Sequence, residues 1–182
     1  MKKKKELGNI ELSNKVVVSD SGYNRETWCM AADLAVRPGR YSASVIQSDE
    51  GEWGWRVANL LLVHEDFADV KLFDWESVSK EIGVDSGQCG IFDDSVYPQL
   101  NDETDVEAFY DECCAITLDD LPAGVLENGN GVVTSSGYGD GCYELFAMSI
   151  EGERVALLLD FKLLRMRDLM ETICGRQRRM TI

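Results

Sequence analysis

The clearest alternation of apolar and polar side chains lies in two runs, residues 142–150 and 154–161. They flank the dipeptide Glu151-Gly152, and a two-residue loop with glycine in second place is typical of a type I′ β-hairpin. One face of this predicted hairpin is almost wholly apolar, so we expect it to face the core. The predicted pairs are Met148 with Val155, Phe146 with Leu157, Glu144 with Leu159 and Cys142 with Phe161 on that face, and Ser149 with Arg154 and Tyr143 with Asp160 on the other.

The predicted register places one carboxylate, that of Glu144, on the apolar face. A buried carboxylate needs a hydrogen-bonding partner or a raised pKa, because desolvation disfavours its charged form. Two interpretations follow. Glu144 either lies near the open end of its strand and reaches water, or serves as a base or supporting group in a site.

Shorter patterns predict the remaining elements. Runs of β-branched and apolar residues indicate strands, whereas apolar residues at spacings of three and four indicate helices. The predicted strands are 15–19, 41–47 and 56–64, segment 28–36 fits a strand or a short helix, and the predicted helices are 74–82, 105–118 and 163–173.

These elements predict a mainly β (α+β) fold. We expect an antiparallel β-sandwich or curled sheet of about seven strands, with one covering helix and a C-terminal helix. The predicted organisation is a loose basic leader at 1–14, a single β-rich domain at 15–161, and an amphipathic helix with a basic tail at 162–182.

Composition supports a soluble cytoplasmic protein. The 182 residues suffice for one domain with a core of its own, and 45% of them are hydrophobic. No stretch approaches the roughly 20 apolar residues of a membrane span. The four lysines near the start precede no apolar segment, so they do not indicate a signal peptide.

Charge is distributed unevenly along the chain. Residues 16–160 hold 29 acidic and 7 basic residues, whereas the two ends together carry a net charge of +7. Such a surface repels the phosphates of DNA and RNA, so direct nucleic-acid binding by this part of the chain is disfavoured. It suits a basic protein partner, divalent cations or mimicry of nucleic acid, and it also serves solubility.

The cysteines and the single histidine do not form a zinc motif. The six cysteines contain no Cys-x-x-Cys pair, and His64 has no second histidine beside it, so we expect buried or free thiols. His64 follows an apolar run and precedes Glu65 and Asp66. It is a candidate for a catalytic base, and a surface or helix-capping role is the simpler interpretation.

Four aspartates sit in or beside predicted turns at strand ends. They are Asp20, Asp85, Asp94 and Asp140. If those strand ends converge, the carboxylates could hold Mg²⁺ or Ca²⁺ through oxygen ligands, with Glu144 as a nearby base. Aspartate is also an ordinary turn residue, so the same positions fit a purely structural role.

Three short segments carry a resemblance to a known family. They are Val18-Ser19-Asp20-Ser21-Gly22-Tyr23, Val84-Asp85-Ser86-Gly87 and Gly139-Asp140-Gly141-Cys142-Tyr143. Together with residues 155–161 they resemble an uncharacterised family of bacterial and phage proteins known only as a domain of unknown function. The resemblance spans residues 15–161 and implies neither an activity nor a catalytic residue. The segment after Phe161 departs from it.

Three functions are compatible with these features. The first is a non-enzymatic, acidic binding or interaction protein of phage or mobile-element origin, because the chain has no phosphate loop, nucleophile elbow or zinc motif. The second is a metal-assisted hydrolase or phosphoesterase that uses the clustered aspartates. The third is a nucleic-acid mimic that inhibits a DNA-binding protein through its rows of carboxylates.

Overall fold

The computed structural model describes residues 1–25, 27–70, 74–98 and 103–174, which form eleven β-strands and two α-helices. The strands are β1 Lys2–Leu12, β2 Lys15–Ser19, β3 Ala31–Ala35, β4 Gly39–Asp49, β5 Trp55–His64, β6 Glu76–Val84, β7 Gln88–Asp93, β8 Ala123–Val125, β9 Gly131–Ser135, β10 Gly141–Ile150 and β11 Glu153–Asp160. The helices are α1 Glu103–Thr117 and α2 Met166–Cys174, and short 3₁₀ turns lie at Gly51–Trp53 and Glu65–Phe67.

The strands form two antiparallel sheets. The first sheet has six strands in the order β1-β4-β5-β11-β10-β6, and the second has five in the order β3-β2-β7-β9-β8. The predicted mainly β, antiparallel fold with two helices is therefore confirmed. The described residues contain more strands than the expected seven, because segments such as β1 and β6 do not show the alternation that identifies a strand.

A single apolar core fills the space between the two sheets. Val18 and Ile91 of the second sheet meet Leu60, Leu145 and Leu157 of the first, and all five side chains are buried. Because successive residues of a strand point to opposite faces, every second residue contributes to this core. The sheets therefore pack face to face as a sandwich.

Each sheet also buries part of its outer face beneath a helix. Leu169 of α2 packs with Leu61 and Leu158 on the first sheet. Phe109 of α1 packs on Phe92 of the second sheet, with ring centroids 5.0 Å apart. The layers are thus helix, sheet, sheet and helix, which explains why several central strands are continuously apolar.

The predicted hairpin exists, but its faces differ from the prediction. Glu151 and Gly152 both have positive φ, at 53° and 85°, as a type I′ turn requires, and Ser149 pairs with Arg154 as expected. A bulge at Val155 then shifts the register by one residue. The resulting pairs are Met148 with Ala156, Phe146 with Leu158, Ala147 with Leu157, Leu145 with Leu159 and Glu144 with Asp160.

The shift turns the side chains of β10 over relative to the prediction. Tyr143, Leu145 and Ala147 enter the core between the sheets, whereas Phe146 and Met148 face outwards toward α2. Alternation could not reveal this arrangement because both faces of the hairpin are apolar and both are covered.

Two further predictions about local structure are wrong. The basic leader is not loose, because Lys2–Leu12 pairs along its length with β4 and buries Ile10 and Leu12. Segment 74–82 does not form a helix, because Glu76–Val84 pairs as an edge strand with β10. In both cases tertiary pairing overrides a local pattern.

The C-terminal prediction is tested only in part. Helix α2 overlaps the predicted helix at 163–173, whereas Arg176, Arg178 and Arg179 of the predicted basic tail lie outside the described residues. None of the helices in the described ranges is long and apolar enough to cross a lipid bilayer.

The packing of α2 leads to a prediction with a matched control. Leu169→Ala should lower the free energy of unfolding by about 3 kcal/mol, because Leu169 is fully buried and its truncation leaves a cavity. Leu118→Ala should change it by less than about 0.5 kcal/mol, because Leu118 is 85% exposed after α1. Urea unfolding followed by tryptophan fluorescence measures both. Equal changes in the free energy of unfolding for the two variants would show that α2 is not part of the cooperative fold.

Candidate binding cleft

The side chain of Asp20 is buried at the end of β2, where it joins the two Asp-Ser-Gly turns of the chain. Its Oδ2 accepts hydrogen bonds from the backbone N–H groups of Asp85 and Ser86, both at 2.7 Å. Its Oδ1 accepts from the N–H of Gly22 at 2.8 Å and from the Ser86 hydroxyl at 2.6 Å. Four donors satisfy the acceptor capacity of a carboxylate, so its burial is compensated.

A cleft of about 560 Å³ opens between this junction and α1. Tyr23, Val106 and Tyr110 supply apolar surface to its walls, while Asp85 and Glu107 supply carboxylates. Gly22 lies at its base, where a Cβ would come within 3.3 Å of both the Tyr110 ring and the Asp20 carboxylate and would press on both. The first Asp-Ser-Gly-Tyr turn, the second Asp-Ser-Gly turn and the first half of α1 therefore build the cleft together.

Tyr23 and Asp85 form a hydrogen-bonded pair on the wall of the cleft. The Tyr23 hydroxyl donates to Asp85 Oδ2 at 2.7 Å. Burial and this hydrogen bond raise the pKa of Tyr23 above its usual value, so the phenol stays protonated at physiological pH. The pKa of Tyr110 is also raised, mainly by its hydrogen bond with Cys114 and then by burial. Both tyrosines thus act as neutral aromatic surfaces.

A second, smaller pocket of about 310 Å³ lies on the other side of the Tyr23–Asp85 pair, which lines both cavities. Its walls include Trp28, Cys29 and Cys142. Trp28 is 82% exposed, which is unusual for a side chain of its size. The two cavities together form an indented surface that combines aromatic rings with carboxylates.

The Gly-rich loop between β9 and β10 completes this end of the sandwich. The N–H of Ser136 donates to the carbonyl of Gly87 at 3.0 Å, and Gly141 pairs with Val84. Within the loop, the Tyr143 hydroxyl donates to the carbonyl of Gly139 at 2.6 Å. The segment at 84–87 therefore contacts both of the other segments that carry the family resemblance, although all three are far apart in the sequence.

The predicted metal ligands do not form a metal site in the part of the chain that the structure describes. No three His, Cys, Asp or Glu side chains there are placed to hold one ion. Asp20 is saturated by protein donors, and Asp85 is engaged by Tyr23. Asp94 forms an ion pair with Arg25 at 2.7 Å, and Asp140 is exposed in the Gly-rich loop. The arrangement gives the Mg²⁺ or Ca²⁺ hypothesis no support.

The two candidate catalytic residues lie apart from the cleft. Glu144 is exposed on the outer face of the first sheet. His64 is buried at the end of β5, where its Nδ1 accepts from the N–H of Asp66 and its Nε2 lies 3.2 Å from the carbonyl oxygen of Pro38. This pattern requires the Nε2–H tautomer and caps the 3₁₀ turn that follows, so it is a structural arrangement.

Sequence reasoning did not identify Tyr23, Glu107 and Tyr110 as cleft residues. The repetition of Asp-Ser-Gly was the available signal, because each copy ends a strand and their polar side chains meet. Nothing in the sequence pattern indicated that α1 forms a wall of the cleft.

The Asp20 junction yields a prediction. Asp20→Asn should lower the free energy of unfolding by about 2 kcal/mol, because either orientation of the amide places an N–H₂ group against a buried N–H donor. Asp140→Asn removes the same charge from an exposed position and should cost less than about 0.5 kcal/mol. Thermal and urea unfolding compare the two variants. Similar values would contradict a structural role for Asp20.

Comparisons of this chain with protein-family models, with curated proteins and with solved structures found no match. The resemblance to an uncharacterised bacterial and phage family therefore stays a prediction.

Proposed function

We propose that the protein is a non-enzymatic binding protein whose cleft receives a positively charged side chain of a basic polypeptide partner. The observation that carries this proposal is the combination of two exposed carboxylates, Asp85 and Glu107, with the aromatic walls Tyr23 and Tyr110 in one cavity.

The chemistry of the cleft favours a cation. No lysine or arginine is among the residues that line it in the described ranges, so its carboxylates have no basic neighbour within the cleft. The faces of tyrosine rings also attract cations, and the attraction grows when water is excluded. A lysine or arginine side chain could place its apolar stem against Tyr23 and Tyr110 while its charge meets Asp85 or Glu107.

The charge around the cleft favours a polypeptide over a small amine. The segment from Glu65 to Glu127 contains 18 acidic residues against Lys71 and Lys80, and it includes α1. A surface of one sign steers an oppositely charged macromolecule and accelerates its association. A basic protein segment would meet this field over a wide area, whereas a single amine would meet only the cleft.

Binding fits the cleft better than catalysis does. The hydroxyl of Ser86 is hydrogen-bonded to Asp20, and that of Tyr23 is hydrogen-bonded to Asp85. Each hydroxyl is therefore part of the scaffold, and no described histidine lies beside it to activate it.

A defined probe tests the cleft. A fluorescein-labelled hexapeptide of alternating lysine and arginine should bind the wild-type protein in fluorescence anisotropy. The double variant D85N/E107Q should bind it about tenfold more weakly, because two charge-assisted contacts are lost. The matched variant D111N/E151Q removes two exposed charges outside the cleft and should change the affinity by less than about twofold.

Two outcomes would count against the proposal. Equal weakening by both variants would mean that net charge alone attracts the peptide. If duplex DNA displaces a bound basic DNA-binding protein, and D85N/E107Q does not weaken that complex, the result would instead favour mimicry of nucleic acid.

A further inference from the structure

The first half of β1 presents unpaired backbone groups at the edge of the first sheet. β1 is the outermost strand of that sheet, and among the described strands it pairs only with β4. The N–H of Asp49 in β4 donates to the carbonyl of Met1 at 2.9 Å. Because hydrogen bonding alternates along an antiparallel strand, the N–H and C=O groups of Lys2 and Lys4 point away from β4. Segment Lys2–Lys5 is called the free edge below.

The second half of β1 is already covered. The N–H of Glu11 donates to the carbonyl of Gly129 at 2.9 Å, and a Cβ at Gly8 would touch Val125 of β8. A register shift between Glu6 and Gly8 separates this half from the free edge. Natural edges are usually kept short, bulged or covered, and the free edge is the part of β1 that lacks a covering contact in the described structure.

The free edge carries four consecutive lysines in a protein with a net charge of −15. Lys2 and Lys4 form ion pairs with carboxylates of the protein itself, at 3.6 and 2.9 Å. The Nζ of Lys3 lies 3.8 Å from the centre of the Trp55 ring, a contact that does not neutralise its charge. In the described ranges no ion pair joins Lys3 or Lys5 to a carboxylate.

Protection against self-association explains only part of this pattern. A second copy of the free edge would oppose lysine to lysine, so the lysines do prevent identical edges from pairing. A run of acidic residues would block the edge equally well, and it would add to the negative charge that keeps the protein soluble. The positive sign therefore indicates selectivity for an edge of opposite charge.

We infer that the free edge binds an extended acidic segment of a polypeptide partner, which adds to the first sheet as an antiparallel strand beside β1. The outward N–H and C=O groups of Lys2 and Lys4 match the main chain of such a segment. Nucleic acid would offer phosphates but no matching strand, and the acidic residues between 16 and 160 repel it.

The geometry of strand addition places the partner's carboxylates on one face. Lys3 and Lys5 share a face of the sheet, because successive residues of a strand alternate between faces. Their backbone groups are engaged by β4, so an added strand would meet them in non-hydrogen-bonded pairs, where the Cα atoms are about 4.5 Å apart. Glutamates at alternate positions of the partner would therefore lie close to both lysines.

Two peptides separate the contribution of charge from that of the backbone. A fluorescein-labelled heptapeptide of alternating threonine and glutamate should bind the wild-type protein saturably in fluorescence anisotropy. Replacement of every threonine by proline keeps the carboxylates but removes the N–H donors opposite Lys2 and Lys4, and it should weaken binding at least about tenfold.

Matched protein variants test the lysines. The variant K3Q/K5Q should bind the threonine–glutamate peptide about tenfold more weakly, because two charge-assisted contacts are lost. The variant K80Q/K162Q removes two exposed lysines outside β1 and should change the affinity by less than about twofold.

The backbone of the free edge is tested at Lys4. Lys4→Pro removes an N–H that points away from β4, so the pairing of β1 with β4 can persist. It should weaken peptide binding about tenfold, whereas Lys4→Gln keeps the N–H and should weaken it less than about threefold. In the wild-type protein, which needs no substitution, hydrogen exchange of the Lys4 amide should slow when the peptide is added, while that of the Lys5 amide should not change.

Four results would overturn the inference. Equal weakening by K3Q/K5Q and K80Q/K162Q, or equal binding of the proline peptide, would mean that charge alone attracts the segment. An unchanged exchange rate of the Lys4 amide in the peptide complex would exclude strand addition. A peptide-free dimer of the wild type that K4P dissociates would assign the free edge to a second copy of the chain.

The free edge and the cleft can fail independently. The cleft variant D85N/E107Q should bind the threonine–glutamate peptide as the wild type does. The variant K3Q/K5Q should likewise retain its affinity for the basic hexapeptide that tests the cleft.

Discussion

The buried carboxylate of Asp20 is the constraint on which the arrangement of this protein depends. It follows β2 of the second sheet and binds the backbone of Asp85 and Ser86, where the chain passes from β6 of the first sheet to β7 of the second. The Gly-rich loop between β9 and β10 is a second crossing between the sheets. It contacts the β6–β7 crossing through the hydrogen bond from Ser136 to Gly87. The carboxylate of Asp20 thus holds the end of β2 against one crossing, the Gly-rich loop lies against that crossing, and the cleft forms beside the junction.

The sequence predicted the parts of the fold that are decided locally. These parts can be identified from their own residues, without knowledge of a distant partner. They are the Glu151-Gly152 turn, strands β2, β4 and β5, and helix α1. It did not predict β6, because the apolar residues of this segment fall at the spacings of three and four that also characterise a helix, and the pairing with β10 is not apparent from the sequence. The faces of β10 were also undetermined, since a sheet covered on both sides has apolar residues at odd and even positions alike.

The candidate sites depend on contacts that the sequence cannot show. The two Asp-Ser-Gly turns are visible as a repetition, but the hydrogen bonds between them join residues 65 and 66 positions apart. The pairing of Asp160 with Glu144 on the outer face of the first sheet is less visible still, because it depends on the bulge at Val155. Without that extra residue Asp160 would face Tyr143, as the simple register predicts. With it, Asp160 faces Glu144, and three acidic residues from separate strands become neighbours.

The two buried carboxylates, Asp20 and Asp160, differ in how completely hydrogen bonds compensate their burial. Asp20 receives four donors, so its burial is compensated within the protein. Asp160 receives an N–H from Lys162 and an amide from Asn59, but it also faces the charge of Glu144 and lies beside the unpaired oxygen of Asn59. The burial of Asp160 is therefore less fully compensated than that of Asp20. The number of donors identifies Asp20 as part of the scaffold, which its place in a turn sequence does not show by itself.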